Sequence, residues 1–137
     1  MEDIEAIKQV KARYARAADT KDVELLRTTI TDDFFCDTGA RGRGATKGIE
    51  AFVERIRTNP DVTVHHALMP EIELTSTTTA AATWAVHLFS RSPSGRAVDA
   101  FGHYRDTYAK VDGAWRLQSL QLEWLHHEVR GGSSTSP

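Results

Sequence analysis

The sequence predicts an α+β domain in which N-terminal helices pack on a strongly curved, mainly antiparallel sheet, forming a cone around one small-molecule pocket. Three observations carry this expectation. Apolar residues at helical spacing are confined to the chain before Pro60. Long runs of β character fill the chain after it. Asp112-Gly113 joins two of those runs as a two-residue hairpin, because both central positions of a type I′ turn need positive φ.

The elements follow in order. From Asp3, read as the N-cap, Ile4, Ile7, Val10, Tyr14, Ala17 and Ala18 define one helical face ending near Asp19. Asp22 caps a second short helix through Val23, Leu25, Leu26 and Ile30, and Thr31-Asp32-Asp33 breaks it before a strand at Phe34-Phe35-Cys36. Asp37 to Lys47 has glycines and charges but no apolar period, and reads as a loop or irregular hairpin over a pocket mouth. A third helix follows Gly48 through Ile49, Phe52, Val53 and Ile56, and Asn59-Pro60 stops it. Four strands are expected near Val62 to Leu74, Ala80 to Arg91, Ala97 to Val111 and Ala114 to His127, with a bend or bulge at Pro70. Strands this long curl, and helices closing a curled sheet leave a cone.

The 137 residues, 40% hydrophobic, fit one domain, read as residues 1–128, with a disordered tail over 129–137 that has nothing to bury. Seventeen Lys+Arg against 19 Asp+Glu leave a formal charge of -2 with scattered basic residues, so nucleic acid is not an expected partner. No stretch approaches the roughly 18 apolar residues of a membrane span, and the charged, helical start is unlike a signal peptide, so no membrane partner and a cytoplasmic location are expected. Cys36, the lone cysteine, cannot form an intrachain disulfide and reads as a small buried hydrophobe.

Several local patterns sharpen the reading. Tyr14 and Asp19 precede Thr20-Lys21-Asp22 and Leu25-Leu26; Thr63-Val64-His65-His66 opens the first long strand; His87 lies on the next; Gly102-His103-Tyr104-Arg105-Asp106 and Val111 to Leu117 complete the last hairpin. With the element order, these resemble the nuclear transport factor 2-like superfamily, and within it the SnoaL-like branch that includes scytalone dehydratase and bile-acid dehydratase. The resemblance covers about residues 1–127. It implies the cone fold, an aromatic and an acid of the first helix pointing into the cone, and a histidine at the start of the long sheet. It also implies a homodimer or homotrimer through the outer sheet face.

A dehydratase acting beside a carbonyl needs a base for an α-proton, an acid for the departing hydroxyl and a donor for the developing enolate. Histidine suits both transfers, since its ordinary pKa of about 6.5 keeps both protonation states accessible. The resemblance assigns His65 that work, Asp19 the orientation of its ring, Tyr14 the polarisation of the carbonyl, and His87 a second catalytic position. Adjacent strand residues face opposite ways, so one of His65 and His66 enters the pocket; His65 is favoured, and a bulge at Pro70 would reverse the choice. Apolar residues on both faces around His87 predict that it is buried. Gly102, Tyr104, Asp106 and Tyr108 share a face, which the resemblance turns inward; Tyr104, Asp106 and Tyr108 are expected to bind substrate with Phe34, Trp115 and Met69.

Plainer readings stand beside these. Tyr14 can be core, Asp19 can simply end a helix, His87 can be a satisfied core histidine, and Asp106 can pair with Arg105 or Arg116. His65, His87 and Asp19 could form a two-histidine, one-carboxylate metal site only if they converge; no metal or other cofactor is expected. His126-His127, at the end of the last strand, are read as solvated. The expected function is a lyase (dehydratase) or isomerase working without a cofactor on a small, fairly apolar carbonyl-containing or hydroxylated substrate. A polyketide-type cyclase, or a non-catalytic hydrophobic-ligand-binding or assembly module, is the alternative.

Overall fold

The computed structural model describes residues 2–131. Three helices, α1 (Asp3–Thr20), α2 (Val23–Arg27) and α3 (Ile49–Arg57), pack on a six-stranded sheet: β1 (Ile30–Asp37), β2 (Ala45–Lys47), β3 (Val62–Leu74), β4 (Thr79–Arg91), β5 (Ala97–Val111) and β6 (Ala114–Arg130). Strand order is β2-β1-β6-β5-β4-β3. All neighbours are antiparallel except β1, which runs parallel to β6 and makes the sheet mixed. The sheet curls without closing, and its concave face meets the buried stripe of α1, Ile7, Val10, Tyr14, Ala17 and Ala18. Among the described residues no helix is long and apolar enough to cross a membrane.

Several expectations shift by a few residues, each for a physical reason. The N-cap of α1 is Glu2, not Asp3. Asp3 sits in the first turn and accepts from Trp115 Nε1 at 2.9 Å and from Lys110 Nζ at 3.3 Å, so its carboxylate clamps the last hairpin instead of its own helix. That bond, above all, holds the Asp3 carboxyl below its ordinary range. Asp22 caps α2 through Leu25 N–H at 3.1 Å, but α2 ends at Arg27 because Ile30 already belongs to β1. Thr31-Asp32-Asp33, read as a breaker, lies within that strand but takes no partner in the ladder: β1 pairs with β6 at Ile30 and again from Phe35, so the polar run interrupts the pairing without ending the strand. Of the tail expected over 129–137, Val129 and Arg130 are strand, and residues 132–137 lie outside the described residues.

The Asp112-Gly113 turn has φ of 50° and 79°, as a type I′ hairpin requires. The bulge near Pro70 is real: Met69 has φ 47° and the β3–β4 register slips between Leu68 and Glu71. β6 slips twice, so that Gln118 and Leu125 are extra residues. Each slip resets which residues face inward: Trp115 and Leu117 first, then Leu120, Leu122 and Trp124, then His127 and Val129. Gly102 lies opposite the second slip, where a Cβ would come within 2.1 Å of the Glu123 carbonyl oxygen. Only glycine permits that approach without moving backbone.

Candidate active site

The site begins where α1 ends. Lys21 turns the chain out of the helix in the left-handed conformation, φ 55°, and its Nζ donates to the Asp61 carbonyl at 2.9 Å, tying that end to the start of β3. β3 is an edge strand, and the amide of His65 finds its partner in Asp19 Oδ2 at 2.9 Å. Asp19 Oδ1 accepts from Thr63 Oγ1 at 3.0 Å and from His65 Nδ1 at 2.5 Å. With three donors on the carboxylate, the proton between Asp19 and His65 belongs to Nδ1. Nε2 is then left with a free lone pair on a residue that lines the cavity.

The cavity holds about 470 Å³. Tyr14 from α1, Phe52 from α3, Cys36 from β1, Leu88 from β4, Tyr104 from β5 and Leu120, Leu122 and Trp124 from β6 form its mostly apolar wall. Among the described residues neither Tyr14 nor Tyr104 spends its hydroxyl on a protein partner. Burial, more than any neighbouring charge, pushes both phenols well above their ordinary range, so both remain O–H donors. Burial likewise raises the Cys36 thiol to about 11, which keeps it an inert part of the wall.

Of His65 and His66, His65 faces this space, because it pairs with inward-facing Leu88 while His66 pairs with His87 on the outer face. His87 is therefore corrected: it is half-exposed on the convex side, donates to Asp99 Oδ1 at 2.7 Å and stacks on Phe101 at 4.8 Å. His65, His87 and Asp19 do not converge, so the metal arrangement considered from sequence is not formed.

Other expected substrate contacts also move. Phe34 is fully buried, edge-on to Phe52 behind the wall. Trp115 is drawn to Asp3 at the far end of α1. Met69 bulges into solvent at 79% exposure. Asp106 and Tyr108 face inward with Tyr104 but lie beneath α1, away from the cavity wall: Tyr108 donates to Asp106 Oδ2 at 2.6 Å and accepts from Trp84 Nε1 at 3.2 Å. Asp106 pairs with neither Arg105 nor Arg116. Its partner is Lys11, fully enclosed on α1, whose Nζ lies 2.9 Å from Oδ2 and 3.5 Å from the centre of the Tyr104 ring. Burial lowers the Lys11 ammonium and Asp106 opposes that shift. Arg105 instead meets Glu123 outside, and Arg116 donates to the Arg27 and Ile30 carbonyls.

The sequence reading missed two sets of residues. Lys11 falls in the apolar stripe of α1 between Ile7 and Tyr14, and a lone cation in such a stripe signals a buried acid opposite; Asp106 is the one acid in the inward row of β5. Arg41, Arg43, Arg55 and Arg96 line the cavity, as does His127, which the Leu125 slip turns inward. Burial first, and Arg41 next, hold the His127 imidazole below its ordinary range.

The fold has counterparts among solved structures. The chain is similar to a provisionally named scytalone dehydratase from Novosphingobium aromaticivorans, with a TM-score of 0.81 and 23% identity, covering 98% of this chain and 91% of that one. It is similar to the hexachlorocyclohexane dehydrochlorinase LinA-type3 from Novosphingobium barchaimii, with a TM-score of 0.78 and 18% identity, covering 96% and 92%. A nuclear transport factor 2-like protein with a cystatin-like fold from Novosphingobium aromaticivorans gives 0.75 and 24%, covering 90% and 82%. At these identities the likeness shows the fold alone. Residues 1–121 match the model of the SnoaL-like domain, and the chain belongs to that family.

Proposed function

We propose that the chain is a lyase of the dehydratase type, or an isomerase using the same first step, acting by proton transfer without a cofactor. The observation that carries this reading is the 2.5 Å contact between His65 Nδ1 and Asp19 Oδ1 on the wall of an apolar cavity. A module that only binds ligand has no need of an oriented imidazole with one nitrogen left open. His65 Nε2 takes a proton from the carbon beside a carbonyl, and Asp19 stabilises the imidazolium and keeps its ring in place. The Tyr14 and Tyr104 hydroxyls donate to the enolate oxygen as charge develops there. The imidazolium then gives its proton to the β-hydroxyl as the C–O bond breaks, so that water leaves, the conjugated carbonyl forms and His65 returns to its starting state. That the solved neighbours include proteins named for dehydration and dehydrochlorination supports an elimination.

Ultraviolet absorbance during incubation with cyclic β-hydroxy ketones and partly reduced aromatic diols tests it. New conjugated product is expected with the wild type, falling at least roughly 100-fold in His65→Ala. Product unchanged by that substitution would sink the mechanism.

We also infer that copies of this chain pair through the outer sheet face, where Val62, Val64, Leu68 and Phe101 are all exposed on one side of β3–β5. Sedimentation equilibrium should read a dimer or trimer that Leu68→Asp weakens; a wild-type monomer at micromolar concentration would remove the idea.

A further inference from the structure

Four guanidinium groups line the cavity, and none is in an ion pair among the described residues: Arg41 and Arg43 from the β1–β2 connection, Arg55 from α3, and Arg96 from the β4–β5 turn. Elsewhere four arginines are matched to acids, Arg27 to Glu50, Arg57 to Glu54, Arg105 to Glu123 and Arg130 to Asp99, and Arg116 is spent on the Arg27 and Ile30 carbonyls. Among the described residues the only carboxylate on the cavity wall is Asp61. Like charges converging on a partly apolar space repel one another, and the cost grows as water leaves. Solubility alone would scatter them.

Arg55 is the innermost feature of this set. Its Nη1 donates to Thr46 Oγ1 at 2.7 Å and to the Gly44 carbonyl at 3.3 Å, and its Nη2 to Thr38 Oγ1 at 2.9 Å. All three acceptors are uncharged, so they hold the guanidinium in place and leave its charge uncompensated, with part of its donor fork unspent. Arg41, Arg43 and Arg96 are exposed and ring the mouth, where their fields draw an anion inward.

We propose that the substrate is an organic carboxylate, its apolar body in the cavity beside His65 and its carboxylate on Arg55, drawn in by Arg41, Arg43 and Arg96. This deepens the lyase reading and rests on it only for which end of the molecule reacts. Placing the charge on Arg55 would fix the other end of the molecule relative to His65, which is how binding remote from the reacting carbon accelerates a reaction.

The test reads binding, not turnover. Calorimetric titration of the His65→Ala protein with cyclohexanecarboxylate and benzoate, against their amides and methyl esters, separates charge from shape. The carboxylates should bind at least tenfold tighter than the neutral isosteres, and the preference should shrink with added salt. Arg55→Gln should remove most of it. Because Arg55 also tethers a loop, the Arg41→Gln/Arg96→Gln double variant, altered only at exposed positions, provides a second arm and should reduce the preference several-fold. Equal binding of acids and neutral isosteres, a preference that survives both sets of substitutions, or no binding of the carboxylates would overturn the proposal. Turnover of neutral ketones by a protein showing no such preference would leave the lyase reading standing and remove this one.

Discussion

Replacing Asp19 by Asn turns one of its two acceptor oxygens into a donor while three N–H or O–H groups still point at them. The amide cannot accept from His65 Nδ1–H, the Thr63 hydroxyl and the His65 backbone at once, so the ring is driven toward the tautomer whose Nε2 carries the proton and cannot act as base. Asp19→Asn should therefore lower kcat about 100-fold or more while binding of a carboxylate probe is kept; equal loss of kcat and binding would mean that Asp19 only braces the α1–β3 junction. At this scale helix period, helix end and strand start placed Tyr14, Asp19 and His65 on their elements. Read alone, those positions left Tyr14 as core and Asp19 as the end of a helix, and the roles came from the family resemblance. His87 was misread because apolar neighbours on both strand faces suggested burial, whereas the convex face of this sheet is left open and carries apolar residues into solvent.

At the scale of elements, α1 is fastened to β5 by an enclosed ion pair, Lys11 with Asp106. Removing one partner leaves a buried charge uncompensated, so Lys11→Met should cost about 3–5 kcal/mol in denaturant unfolding. Adding Asp106→Leu should restore part of that loss, since no charge is then buried unpaired and the Tyr108 hydroxyl alone loses its acceptor; a double variant as unstable as the single would mean that the unpaired carboxylate is not the source of the cost. Gly102→Ala forces a methyl group against the Glu123 carbonyl and should destabilise by at least about 2 kcal/mol; an unchanged denaturation midpoint would show that the bulge can relax. These elements were legible in type and nearly in extent. Their phase was not. Two extra residues in β6 reverse its inward parity twice, so a strict alternation from Trp115 and Leu117 puts Leu120, Leu122 and Trp124 on the wrong face and returns to phase only at His127.

For the whole molecule, all three tyrosines are enclosed and all are pushed well above their ordinary range chiefly by burial. The sign follows directly. Each phenol keeps its proton in the fold at a pH where the unfolded chain releases it, so this contribution is fully present below about pH 10 and is lost as pH rises beyond it. An alkaline titration should show no phenolate absorbance at the ordinary tyrosine pKa of about 10 while the chain stays folded, and all three should ionise together when it unfolds; a phenolate appearing near that pH before loss of far-ultraviolet circular dichroism would mean that burial does not hold the proton on at least one of them. By itself the sequence determined the α+β class, the order of helices and strands and the final hairpin, because each depends on period or on turn chemistry; the Asp19–His65 pairing, across 46 positions of chain, was implied by the family resemblance and by no local pattern. Only the tertiary structure decided that β1 runs parallel to β6, that Lys11 reaches Asp106, that His87 faces outward and that four arginines meet at one cavity. Those facts depend on bulges and on contacts between residues distant in the chain, and no local pattern records where a curved sheet brings its two ends together.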